Sequence, residues 1–178
     1  MMRHVATAAV LALLVCPAFA ADSATHKGAK SGEPHADGKF VHEAAQGGLL
    51  EVQLGQLAAK NGMSEQVKSF GQRMVDDHSK ANQELMQIAQ QKGITLKTSL
   101  DKKHQDMVDK LAKKSGKDFD KDYMDMMVKD HKDDVDEFQK EANTGKDADV
   151  KAFAAKTLPV LQEHHRMAED TQKALSGK

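Results

Sequence analysis

The chain of 178 residues is long enough to form one domain around one hydrophobic core, and its 39% of hydrophobic and 30% of charged residues are typical of a globular protein. Aromatic residues make up only 4% and Trp is absent, whereas there are 10 Met, so the composition favours a helical core over an all-β fold. The net charge of −1 gives no electrostatic basis for binding nucleic acid.

The first 20 residues have the features of a secretory signal peptide. Arg3 and His4 precede an apolar run at residues 5–15, and Ala18-Phe19-Ala20 places small residues at the cleavage positions. We therefore expect cleavage near Ala20 and a mature protein that is periplasmic or secreted. The apolar run is shorter than the roughly 20 residues that span a bilayer, so no transmembrane span is expected in the mature chain.

Cys16 is the single cysteine of the chain and lies inside the predicted signal peptide. Once the signal peptide is removed the chain has no thiol, which excludes disulfides, thiolate metal sites and cysteine catalysis. An uncleaved anchor and a lipidated Cys16 are minor alternatives; for the second, Val15 is a poor residue to precede a lipidated cysteine.

Residues 21–38 are rich in Gly, Ser and Lys and contain almost no apolar side chain, so we expect a flexible linker. The predicted domain follows at residues 39–176. Four long segments carry apolar residues at alternating spacings of three and four, which indicates amphipathic helices. Gly62, Gly93 and Gly145 end the first three of them, and Ser64, Asp118 and Asp147 are predicted to cap the second, third and fourth.

The second and third long helices are separated by residues 94–117, which include a predicted short helix over residues 100–114 that Ser99 opens. A connection of this length allows the helices on either side of it to be parallel. The sequence therefore predicts an all-α fold, a ferritin-like four-helix bundle with a long crossover that contains a short extra helix.

Four polar residues occupy positions on the apolar faces of the four long helices: Glu51, His78, His131 and His164. At a rise of 1.5 Å per residue, their distances from the helix ends agree to within roughly 6 Å, so one shared layer is predicted. Buried imidazoles and a carboxylate need polar partners or a metal. Three imidazoles and one carboxylate suit Zn²⁺ or Cu²⁺, so we predict a metal site formed by these four residues.

An acidic residue precedes each of the three histidines: Asp77, Asp130 and Glu163. Neighbouring residues of a helix point about 100° apart, so each acid is expected to face a histidine of another helix and to orient it around the metal. The alternative is a metal-free envelope module in which the polar layer only sets the helix register. Partners are not specified by the sequence, and both a homodimer and an envelope-protein partner stay open.

The domain resembles a bacterial family of exported, ferritin-like bundle proteins of unknown function, commonly labelled predicted outer membrane proteins. The resemblance rests on four stretches. They are Gly48-Leu49-Leu50-Glu51, Met74-Val75-Asp76-Asp77-His78, Gly116-Lys117-Asp118-Phe119-Asp120-Lys121-Asp122-Tyr123, and Leu158-Pro159 followed by Glu163-His164. It implies a fold and export, and it implies no activity.

Di-iron ferritins place a Glu three residues before each of two ligand histidines. The corresponding residues here are Val75, Val128 and Leu161, so the carboxylates that bridge two irons are absent from the sequence pattern. We therefore predict a mononuclear metal site or a structural layer instead of iron storage or di-iron oxidation. No nucleophile motif or phosphate-binding loop is visible, and the sequence favours a protein that is not an enzyme.

Overall fold

The computed structural model describes residues 37–177, and these residues form five α-helices and no strand. The helices are α1 Gly38–Asn61, α2 Glu65–Gln91, α3 Lys102–Ala112, α4 Gly116–Thr144 and α5 Ala148–Ser176. The prediction of an all-helical domain is confirmed. The predicted signal peptide and most of the predicted linker lie outside the described residues. Within residues 37–177, no helix is both long enough and apolar enough to cross a membrane.

Two predicted helix caps are confirmed. The Ser64 hydroxyl accepts a hydrogen bond from Gln66 N–H at 3.2 Å, and the Asp147 carboxylate accepts from Asp149 N–H and Val150 N–H at 3.0 and 3.2 Å. These bonds satisfy backbone donors that have no partner within the first turn of a helix.

The predicted cap of α4 is wrong. The helix begins at Gly116, so Asp118 lies inside its first turn, where a carboxylate interacts favourably with the positive end of the helix dipole.

The short helix α3 is also smaller than predicted, because Asp101 caps it instead of Ser99. The Asp101 carboxylate accepts from His104 N–H at 3.0 Å, and Asp101 N–H donates to Gln46 on α1 at 2.7 Å.

The long helices pack as two pairs, α1 with α2 and α4 with α5, and the pairs meet through contacts of α2 with α5 and of α1 with α4. The connections within the two pairs are three residues long, which requires antiparallel neighbours. Helices α1 and α2 approach closely at Gly55 and Gly71, because a Cβ placed on Gly71 would lie 2.8 Å from the Gly55 carbonyl oxygen. Helix α3 contacts α1 and α4.

Two apolar clusters fill the interior. One includes Phe70 and Tyr123, and the other includes Phe138 and Phe153. His131 packs edge-on against Phe70, with ring centroids 6.3 Å apart. His78 lines a small cavity together with Phe138 and Phe153. Buried histidines therefore lie where the two apolar clusters meet.

Candidate metal centre

Three histidines from three different helices meet in the interior. His78 comes from α2, His131 from α4 and His164 from α5, and one ring nitrogen of each lies within 4.8 Å of the others. The ring centroids are 5.6, 5.4 and 5.3 Å apart, so the rings form a nearly equilateral triangle. Their exposed fractions are 7%, 0% and 1%. We refer to these three residues as the histidine triad.

Helical periodicity explains how the sequence brings the triad inward. His78 follows Met74 by four residues, and His131 follows Met127 by four, and both methionines are fully buried. Residues at this spacing share one helix face, so each imidazole takes the place of an apolar side chain on the buried stripe. His164 has the same relation to Leu161, three residues earlier and also buried.

Hydrogen bonds outside the triad determine which ring nitrogen of two histidines is unprotonated. His131 Nδ1 lies 3.0 Å from the Met127 carbonyl oxygen, to which it must donate, so its Nε2 carries a lone pair. His164 Nε2 lies 3.0 Å from Asp77 Oδ2 and donates to it, which leaves the lone pair on Nδ1. His131 Nε2, His164 Nδ1 and His78 Nε2 are buried and have no hydrogen-bond partner among residues 37–177. The triad thus presents ring nitrogens that lack a ligand within the described protein.

The triad is electrically neutral near pH 7. Burial is the largest cause that lowers the pKa of His78 well below its usual range, and the neighbouring His131 and His164 lower it further. Burial and the neighbouring His164 lower the pKa of His131 to about 3, although the hydrogen bond to the Met127 carbonyl opposes that shift. Burial also lowers the pKa of His164, although Asp77 opposes that shift. Neutral imidazole is the form that binds metals, so a metal would not compete with protons here.

The three acids that precede the histidines occupy different surroundings. Asp77 accepts a hydrogen bond from His164 on another helix and is itself paired with Arg73. Asp130 has one buried carboxylate oxygen without a partner in the described part of the chain and lines a cleft beside α3. Glu163 is exposed and pairs with Arg166 at 2.6 Å. Of the three predicted orienting residues, only Asp77 hydrogen-bonds to a triad histidine within residues 37–177.

Glu51, the predicted fourth ligand, is buried at 2% exposure but is not brought into the converging group of nitrogens. It lines the cleft between α1, α3 and α4, and its Oε2 has no partner among the described residues. Burial raises the pKa of Glu51 well above its usual range, and the nearby Asp134 and Asp130 raise it further. The charges closest to Glu51 are therefore carboxylates of the cleft.

Sequence reasoning missed Asp134 on α4. Burial, followed by the neighbouring Asp130 and Glu137, raises the pKa of Asp134 to about 7. Asp134 lines both the cleft and the small cavity that contains His78. The available signal was its position three residues after His131, which places the two side chains on the same side of a helix.

Fold and site together define a helical domain that holds a buried triad of histidines. The chain belongs to the family described as a domain of unknown function, DUF4142, which matches residues 21–171. The crystal structure of a DUF305 fragment from Deinococcus radiodurans is similar, with a TM-score of 0.68 and 12% sequence identity. The match covers 78% of this chain and 96% of that chain, and it shows a shared fold alone. Among curated proteins no match is found.

Proposed function

We propose that the protein binds one divalent transition metal ion through His78, His131 and His164. The observation that carries this proposal is the convergence of three buried, neutral imidazoles from three helices, with ligand nitrogens within 4.8 Å of one another. Three nitrogens bound to one zinc ion at about 2.0–2.1 Å would lie roughly 3.4 Å apart in tetrahedral geometry. Metal binding would therefore draw the three ring nitrogens closer together than the 4.8 Å within which they now lie.

The triangular arrangement favours Zn²⁺ as the ion. Zn²⁺ has no electronic preference for a geometry and accepts three imidazoles with a water in the fourth position. Cu²⁺ prefers a square or tetragonal arrangement, although it binds nitrogen ligands more tightly in general. Zn²⁺ is therefore our first assignment and copper the second, with water taking the place that the sequence predicted for Glu51.

We also propose the bundle topology and the export from the cytoplasm that the sequence predicts. The pairing of α1 with α2 and of α4 with α5, together with the long connection that contains α3, supports a ferritin-like four-helix bundle with a crossover. The signal-like residues 1–20 support export, so metal buffering in the cell envelope is the role we propose. Cell fractionation of the full chain, with N-terminal sequencing of the product, tests export: an intact Met1 in the cytoplasm contradicts it.

Metal content after native purification tests the triad. We expect one Zn²⁺ per chain after incubation with zinc and gel filtration, measured by mass spectrometry of the metal. His131→Ala and His78→Ala should lose it, because two imidazoles hold a divalent ion weakly. His165→Ala is the matched control, since this residue neighbours His164 in sequence and is not part of the triad. A wild-type chain that retains neither zinc nor copper contradicts the proposal.

A metal-free structural role is the second candidate, and one observation favours it. His131 and His164 already have polar partners at 3.0 Å in Met127 and Asp77, and their rings contact each other edge-on. Such a layer would set the register of the helices without an ion, in an envelope module that acts through its surface. This role predicts a melting temperature that does not change when Zn²⁺ or Cu²⁺ is added, whereas a bound ion raises it.

A further inference from the structure

A large cleft lies between α1, α3 and α4, and its wall includes Asp130 and Asp134, which lie on either side of His131 in the sequence of α4. Its volume is about 1000 Å³, and nine carboxylates but only three lysines line it. Four of these carboxylates are paired with lysines: Glu43 with Lys39, Asp122 with Lys114, Asp125 with Lys121 and Asp133 with Lys129. The other five acids still outnumber the two remaining lysines of the cleft, Lys103 and Lys110. An excess of charges of one sign raises the local concentration of the opposite ion, so this cleft attracts cations.

The most deeply buried acid of the cleft is aimed into it without a partner. Glu51 is 2% exposed, and its Oε2 makes no hydrogen bond within residues 37–177. An oxygen of Asp130 in the same cleft is likewise buried and unpartnered there. Such oxygens are costly to bury in the ionised form without a donor, and a divalent cation that displaces the proton would satisfy them.

A second, smaller cavity shares wall residues with this cleft and also includes one member of the triad. It has a volume of about 20 Å³, enough for one water-sized group, and His78 is part of its wall. Gly47 and Asp134 line both spaces. The rest of the small cavity is mostly apolar, so Asp134 supplies the carboxyl group that the cleft shares with the cavity containing His78. His78 is also the most exposed of the three histidines, at 7% against 0% and 1%.

We propose that the acidic cleft is the path by which a divalent cation reaches the triad, and that the Asp134 carboxylate passes the ion to His78. The proposal rests on metal binding by the triad and adds the route. The ion first exchanges some of its water for carboxylate oxygens in the cleft, then moves past Gly47 and Asp134 to the imidazole nitrogens. Asp134 is a positioning residue, because the ion leaves it when the site is filled.

Loading kinetics with Co²⁺ test the route, since tetrahedral Co²⁺ bound to nitrogen ligands absorbs visible light. Stopped-flow absorbance gives the loading rate, and the final absorbance gives the stoichiometry. Asp134→Asn should slow loading about tenfold or more while the final absorbance is unchanged. Asp136→Asn removes the same charge from an exposed position of α4 outside the cleft, where Asp136 pairs with Lys132, and should load at the wild-type rate.

A second variant blocks the route without removing charge. A Cβ on Gly47 meets nothing within 4 Å, so Gly47→Leu has open space for the start of its side chain. The rest of the Leu side chain is expected to fill the junction between the cleft and the small cavity, both of which Gly47 lines. The variant should slow loading several-fold with the same final absorbance.

Wild-type rates in both Asp134→Asn and Gly47→Leu overturn the route and leave the triad proposal standing. Loss of the final absorbance in Asp134→Asn overturns it too, because Asp134 would then be a ligand. A wild-type chain without any Co²⁺ signal contradicts the triad itself.

Discussion

Asp77 on α2 accepts a hydrogen bond from His164 on α5, with 3.0 Å between Oδ2 and Nε2. The next residue of α2 is His78, so two consecutive residues of one helix contribute a triad member and the carboxylate that orients another member. This bond assigns the proton of His164 to Nε2 and turns Nδ1 toward the triad. It also links the α1–α2 pair to the α4–α5 pair.

Removal of the Asp77 carboxylate should weaken metal binding without removing a ligand. In Asp77→Ala, His164 loses the partner that fixes its tautomer and orientation, and such losses cost about 10–100-fold in metal affinity. Titration of the variant against a competing chelator measures this change. Asp76→Ala is the control, because Asp76 is exposed and bonds to Gln72 on its own helix. Equal affinities of the two variants would show that Asp77 has no orienting role.

The neutral state of His131 predicts a pH dependence of folding. Its pKa is lowered to about 3 in the folded protein, whereas an unfolded histidine titrates near 6.5. The unfolded chain therefore binds the extra proton first, so the stability that His131 contributes is complete above about pH 6.5 and is lost as the pH falls from there toward 3. The loss approaches about 1.4 kcal/mol per pH unit well below pH 6.5.

Comparison with His131→Gln isolates this effect from the carboxyl groups of the cleft, which titrate in both proteins. Urea unfolding of the two metal-free proteins at pH 7.5, 6 and 5 gives the difference in their free energies of unfolding. The wild-type protein should lose stability relative to the variant below about pH 6.5, and the difference should be constant above it. A difference that stays constant down to pH 5 would mean that His131 is protonated in the folded state.

The convergence of the triad was predictable because two simple quantities determine it. Helical periodicity places His78, His131 and His164 on buried faces, and the rise per residue places them at similar heights. Both are known from the sequence once the helix ends are known within a few residues. The structure confirms that these three side chains meet.

The surroundings of Glu51 and Asp134 were not predictable in the same way. The position of Glu51 on the apolar face of α1 predicts that its side chain is buried. It does not predict which helix the carboxylate faces, because α1 contacts α2, α3 and α4. Asp134 lies in a run of alternating Lys and Asp that indicates a solvated helix surface. Only the position of α3 beside α4 turns part of that surface into the wall of a cleft.

Asp120 stabilises the turn between α1 and α2 from a distant part of the chain. Its carboxylate is 3% exposed and accepts hydrogen bonds from Met63 N–H at 2.8 Å and Ser64 N–H at 2.7 Å. Asp120→Ala leaves both donors without this partner, which should lower the free energy of unfolding by about 2–3 kcal/mol. Asp118 is exposed and also lies near the start of α4, so Asp118→Ala should lower the free energy of unfolding by less than about 1 kcal/mol. Urea unfolding measures both; similar losses would contradict a specific role of Asp120.

Because α1 and α2 approach closely at Gly71, substitution by Ala is expected to have opposite effects on the free energy of unfolding at Gly71 and at Gly47. A Cβ on Gly71 would lie 2.7 Å from the Ala58 Cβ and 2.8 Å from the Gly55 carbonyl oxygen, and neither atom can move without the backbone of α1. Gly71→Ala should therefore destabilise the fold by about 1–3 kcal/mol, despite the higher helix propensity of Ala.

Gly47→Ala is the matched control, because Gly47 is also inside α1 and a Cβ there meets nothing within 4 Å. Without a steric cost, the helix propensity of Ala should raise the free energy of unfolding by up to about 1 kcal/mol. Thermal and urea unfolding of the two variants give the comparison. If Gly71→Ala is as stable as Gly47→Ala, α1 and α2 do not approach each other at Gly71 as closely as these distances require.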